Sequence, residues 1–126
     1  MASILTNYQG NLMLSQIGDN TTTFYIALFT ASPTDLGSFT NEVAGGSYVR
    51  QQTKFTVASG KTTANVSPLS FTNMPSVTVH YVGVCRTLSG TTNDLLTYGE
   101  LDSPTGIVVA SGQTLKFEIS DIAITL

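Results

Sequence analysis

The residues of this chain that could do chemistry are few, and their spacing matches no catalytic pattern. His80 is the only histidine and Cys85 the only cysteine. A general base needs a nucleophile or a carboxylate beside it, and no companion motif surrounds His80, which reads as a histidine bonded within a sheet. One His and one Cys also leave a zinc site short of ligands. Cys85 lies inside an apolar run and reads as a small buried hydrophobe. Glu100 and Asp102 sit two residues apart, on one face of an extended chain, as paired acids or hard-cation ligands would. No calcium-loop pattern encloses them, and a solvated strand end is the plainer reading. Gly45-Gly46-Ser47 lacks the lysine and the following helix of a phosphate loop, and no nucleophile elbow is present. Tyr48, Tyr81 and Tyr98 could stack on sugars if exposed, although packing with the hydroxyl at the core's edge is the ordinary use of such residues. The residues make no case for an enzyme, a cofactor or a bound metal.

The elements that would position these residues are mostly strands. Phe24, Ile26 and Leu28 point to one side of an extended chain and Tyr25, Ala27 and Phe29 to the other, so this strand expects cover on both faces and a place at the centre of the core. A polar excursion over residues 30–46 follows, with Pro33, Asp35 and Gly37 supplying turn chemistry. A second extended run begins at Ser47 and continues to Val57, with Tyr48 and Arg50 on one face. Residues 77–85 form the second strong strand, and residues 95–101 and 107–110 two more. Leu115, Phe117 and Ile119 alternate with polar residues, and Ile122, Ile124 and Leu126 resume the alternation after Asp121. Such an ending should be docked in a sheet or on a partner. One helix is expected over residues 4–17, capped by Thr6 or Asn7 and closed by a left-handed Gly18. The expected fold is all-β, an antiparallel β-sandwich or open barrel with one short N-terminal helix, in a single domain over residues 1–126.

Composition narrows the function further. The chain is 126 residues long, 41% hydrophobic and only 10% charged, against a usual ~25% charged. Ser, Thr, Gly and Asn make up the polar surface. Five basic residues are scattered and the net charge is −3, so phosphate contacts of the kind nucleic acids need are not available, and an anionic membrane surface is equally poorly served. No run approaches the ~20 apolar residues of a membrane span, and no secretory signal pattern opens the sequence.

Three blocks carry a resemblance: Tyr25-Ile26-Ala27-Leu28-Phe29-Thr30, then Pro33-Thr34-Asp35, then the run from Glu42 to Gln51. With His80, the 95–99 stretch and the closing Leu115-Lys116-Phe117 and Ile122-Ala123-Ile124-Thr125-Leu126, the chain resembles small virion proteins of tailed bacteriophages, described as tail-fibre-like or capsid-decoration proteins. It departs from the family pattern at Tyr81, where a bulkier aromatic is common, and at Arg86, where an acid is. The resemblance implies a non-enzymatic structural protein of the virion with no catalytic residues. The first expectation is a capsid decoration (cement) protein that binds the outer shell as a trimer or other small ring, contacting the major capsid protein and copies of itself. The alternative is a tail-associated or tail-fibre adaptor that contacts tail or fibre proteins. A weaker third is a carbohydrate-binding module for host attachment. Neither nucleic acid nor membrane is expected as a partner. The expected contact residues are Ser3, Ile4 and Tyr8 in the N-terminal segment, Pro33, Asp35, Leu36 and Phe39 in the long loop, and Leu126.

Overall fold

The computed structural model describes residues 5–102 and 105–126. The expected contacts Ser3 and Ile4, and the Ser103-Pro104 turn, lie outside the described residues. The chain forms two compact units. The first comprises Met1–Thr23, Thr53–Leu69 and Phe117–Leu126; the second comprises Phe24–Gln52 and Ser70–Lys116.

In chain order the elements are α1 (Asn7–Leu14), β1 (Phe24–Phe29), β2 (Gln51–Thr53), β3 (Thr62–Ala64), β4 (Leu69–Phe71), β5 (Val77–Val79), β6 (Tyr81–Cys85), β7 (Leu95–Glu100), β8 (Ile107–Val109), β9 (Leu115–Phe117) and β10 (Ala123–Thr125). The main sheet runs β2-β1-β6-β7 and is open at both ends; β3 pairs with β10, β4 with β9 and β5 with β8. The expected all-β, antiparallel fold with one short helix is the fold observed, and no sheet closes into a barrel.

The second unit is built on β1. Ile26, Ala27, Leu28 and Phe29 are fully buried, so both faces of the strand are covered as its sequence requires. Its partner β6 runs antiparallel, with Tyr25 opposite Cys85 and Phe29 opposite Tyr81. β7 continues the sheet, with Tyr81 opposite Glu100 and Gly83 opposite Tyr98. Gly83 is required by packing rather than by backbone angle: a Cβ there would sit 2.5 Å from Leu95 Cδ1 and 2.9 Å from Phe29 Cε2. We therefore expect Gly83→Ala to lower stability by about 1–3 kcal/mol, the usual cost of overpacking a filled core, as a lower midpoint in urea. Cys85 is buried against Ala27 and Phe29, and burial pushes its thiol up to about 12. A thiol held so far above pH 8 offers almost no thiolate, so Cys85 should resist a disulfide-exchange reagent in native protein and react fully once urea unfolds the chain.

The strand expected over residues 77–85 is broken at His80. Before it β5 pairs with β8, and after it β6 pairs with β1 and β7. His80 donates its N–H to the Phe29 carbonyl at 2.9 Å and accepts the Leu101 N–H at 2.9 Å. Its ring packs against Gly106, where a Cβ would lie 2.8 Å from the imidazole. The strand expected from Ser47 starts only at Gln51, because residues 45–48 are taken up by a reversal. In it Gly46 adopts φ +55, and a side chain at that position would press on the Asn73 carbonyl.

The first unit holds the helix and the end of the chain. Thr6 caps α1 by accepting the Gln9 N–H at 3.2 Å. Helix α1 is shorter than the 4–17 pattern: it ends at Leu14, and Gly18 does not take a left-handed angle. Gly18 is there for close approach, since a Cβ would lie 2.6 Å from both the Thr56 carbonyl and Thr63 Oγ1. Gly10, inside the helix, leaves room for the Lys61 side chain, whose Nζ donates to the Leu5 carbonyl at 2.9 Å while Lys61 N–H donates to Asn11 Oδ1 at 2.7 Å. The turn at residues 18–22 is organised by Asp19, which accepts the N–H groups of Thr21 and Thr22 and the Thr22 hydroxyl. These bonds hold its pKa well below the ordinary carboxylate value of 3.8. A depressed folded-state pKa means that this contribution is present above the unfolded value and is lost as pH falls toward the folded one. Carbon-detected titration should therefore find Asp19 ionised at pH 3, when ordinary surface carboxylates are largely protonated.

The closing strand differs from its alternating pattern. β9 ends at Phe117 and Ile119 is exposed, because Asp121 Oδ2 accepts the Glu118 N–H at 2.7 Å and folds residues 118–121 into a turn with Ser120 at φ +70. β10 then pairs with β3 through Ala123–Ala64, Ile124–Thr63 and Thr125–Thr62. The Leu126 N–H reaches the Lys61 carbonyl at 3.0 Å.

Candidate functional site

The most highly organised surface lies in the second unit, where residues 30–46 fold over the face of the sheet that carries Ala27, Phe29 and Cys85. The loop is fixed at its ends by Thr30 N–H donating to the Asn41 carbonyl and Val43 N–H donating to the Leu28 carbonyl, both at 2.9 Å. Phe39 lies 5.8 Å from Phe29 between ring centroids. The Arg50 guanidinium lies over the Phe39 ring, 4.6 Å from its centre, a cation–π arrangement.

Arg50 is the pin. Its side chain is 3% exposed. Nε donates to Glu42 Oε2 at 2.8 Å and Nη2 to Glu42 Oε1 at 2.9 Å, a two-point fork. Nη1 donates to Asp94 Oδ2 at 3.1 Å and to the Thr87 carbonyl at 3.0 Å. Asp94 also accepts the Thr87 N–H and hydroxyl. Tyr48 completes the set: its hydroxyl donates to Glu42 Oε2 at 2.8 Å and accepts the Leu28 N–H at 3.0 Å, while its ring stacks on Phe71 at 5.9 Å. Burial and the Glu42 charge hold the Tyr48 hydroxyl far above its ordinary pKa, so it stays a donor. Among the described residues no buried side-chain polar atom lacks a partner. The alternation of Tyr48 and Arg50 puts both on one side, and the reversal at Gly45-Gly46 brings Glu42 back to meet them.

The outer side of this assembly carries Asp35, Leu36 and the edge strand β7. The Tyr98 hydroxyl donates to Asp35 Oδ1 at 2.9 Å, across 63 residues of sequence. The Tyr81 hydroxyl donates to Glu100 Oε2 at 3.0 Å. The two rings are 6.3 Å apart and tilted by 55°. Each hydroxyl's pKa is raised, first by its carboxylate hydrogen bond. A concavity of about 480 Å³ opens beside Tyr98, lined by Thr34, Asp35, Gly37 and residues 95–98.

The expected contact residues divide by exposure. Tyr8 is 77% and Leu36 92% exposed, and Leu126 is about half exposed. Asp35 is exposed as well, while Pro33 is fully buried and Phe39 half-buried beneath Arg50. Pro33 and Phe39 thus serve the packing of the loop rather than its outer surface. Among the described residues no three His, Cys, Asp or Glu side chains could share a metal. The ion network itself is not visible as a motif, because its partners are 8 and 44 residues from Arg50. The available signal was an arginine in an alternating run of a chain with very few charges.

Fold and site together define a small β-rich protein whose second unit holds a loop in place with internal ion pairs. The family model for the podophage GP4 fiber I protein gp80 matches residues 4–125, and the chain belongs to that family. It is a tail-fibre-like structural protein of a tailed-phage virion. No curated protein and no solved structure matches it.

Proposed function

We propose that this chain is a non-enzymatic component of the tail-fibre apparatus, joining fibre or tail proteins, and copies of itself, through uncharged surface contacts. The observation that carries this reading is the match to a fibre-protein family over nearly the whole chain. The structure supports it physically. Three of the few charged residues, Glu42, Arg50 and Asp94, are used inside the second unit, which leaves a surface whose contacts depend little on salt. A loop already fixed in place loses little freedom when a partner covers it. The family description favours the tail over the capsid-decoration role expected from the sequence.

Quantitative mass spectrometry of purified virions separates the two locations. A copy number far below that of the major shell protein is expected. A number comparable to the shell protein would overturn the tail reading in favour of decoration, and absence from the particle would overturn both.

A further inference from the structure

We propose that Tyr81, Tyr98, Asp35 and Glu100 form a binding site for an uncharged oligosaccharide on the second unit. The inference goes beyond the fibre role and does not depend on it. Four of the chain's carboxylates have internal tasks: Glu42 and Asp94 hold Arg50, while Asp19 and Asp121 close turns. Asp35 and Glu100 are different. Each is exposed, and each accepts a tyrosine hydroxyl through one oxygen, Oδ1 of Asp35 and Oε2 of Glu100. Among the described residues no hydrogen bond uses the second oxygen of either, and its lone pairs can accept hydroxyl groups from a ligand.

Between these carboxylates stand the two rings. Tyr98 is on the edge strand β7 and Tyr81 on the neighbouring β6, and a tyrosine ring offers an apolar face with a polar tip, which suits the mixed CH and OH surface of a sugar. The adjoining concavity, about 480 Å³ with Thr34 and Thr97 among its lining residues, falls in the range of small-molecule sites, roughly 300–1,000 Å³. Its parts are brought together in advance. Asp35 reaches Tyr98 because the loop is held down through Glu42 and Arg50, so binding would not have to order it. The charge selects the ligand: Asp35 in the wall of the concavity, Glu100 on the neighbouring tyrosine, and no lysine or arginine among the lining residues repel acidic polysaccharides and favour neutral polyols.

The test uses the full chain, labelled with nitrogen-15, titrated with maltohexaose, cellohexaose and chitohexaose, and with tetragalacturonate as the acidic probe. We expect at least one neutral oligosaccharide at millimolar concentration to shift amides of residues 34–37 and 97–100. Tyr98→Ala and Asp35→Asn should each weaken that binding at least about tenfold, and the acidic probe should leave the spectrum unchanged. Asp35→Asn keeps both rings and the loop shape, so it decides the matter should Tyr98→Ala fail to fold. No shift with any neutral probe, shifts that survive Asp35→Asn, or equal binding of tetragalacturonate would overturn the proposal. Such a failure would leave the tail location standing, because copy number in the virion reads that separately.

Discussion

Arg50→Ala should lower the stability of the second unit by about 3–5 kcal/mol, the usual consequence of removing one partner from a buried ion pair. The loss is large because the arginine serves two acids. Without it, Glu42 and Asp94 face each other's surroundings with no cation, and the Asp94 side chain is 6% exposed. The ring of Phe39 also loses its cover, so the loop over residues 30–46 should loosen together with the network. Against a typical total of about 5–15 kcal/mol for a domain, such a loss leaves the unit close to unfolding at room temperature. Arg50→Lys should fall between the two, since an ammonium keeps the charge but cannot form the fork to Glu42. The chain has no tryptophan, so tyrosine fluorescence during urea unfolding reads the change directly, with Tyr48 lying inside the network. A loss under about 1 kcal/mol would mean that the network contributes no more than an exposed ion pair does.

Asn65→Ala should cost about 2–3 kcal/mol in the first unit. Asn65 is fully buried and both ends of its amide are bonded: Nδ2 donates to the carbonyls of Ser67 at 2.8 Å and Glu118 at 3.1 Å, and Oδ1 accepts the Ile122 N–H at 2.9 Å. Its own backbone exchanges bonds with Ile122 and Ser120. One side chain thus ties the 118–121 turn to the strand that follows it. Truncation leaves part-buried polar groups unpaired, each at about 1–3 kcal/mol before water reaches the more open ones. Asn65→Asp, which keeps the size and the acceptor but loses the two N–H donors, should also destabilise. Hydrogen exchange gives the specific readout: the Ile122 amide and the β10 amides should lose protection well before those of β1 and β6. Equal protection in the variant would show that the turn stands without its asparagine.

The same residues show what was legible beforehand. β1 could be read because large apolar side chains on both faces leave little choice but burial, and the alternation of Leu115 and Phe117 holds because one face of β9 meets the core. Ile119 fits that alternation equally well and is exposed, because Asp121 ends the strand with a hydrogen bond that hydrophobic period does not register. The break at His80 is hidden for a similar reason. Residues 77–85 read as one unbroken run, apolar apart from Thr78 and His80, and the change of strand partner is decided by β8 and by backbone bonds to Phe29 and Leu101. Asn65 stands in a polar Thr-Thr-Ala-Asn stretch with no hydrophobic signal, yet its side chain is consumed inside the unit. β3, a Thr-Thr-Ala strand, carries almost no hydrophobic signal and exists by pairing with β10. In the candidate site, Asp35 and Leu36 could be placed on a surface loop by turn chemistry alone. The link from Asp35 to Tyr98, and the ion network beneath, depend on tertiary approach between residues far apart in the chain.

Assignment to the tail is tested most directly by electron microscopy of intact virions labelled with a gold-conjugated antibody against this protein. Gold confined to the tail and its fibres is the predicted result. Gold spread over the whole shell would contradict it and identify a capsid decoration protein instead.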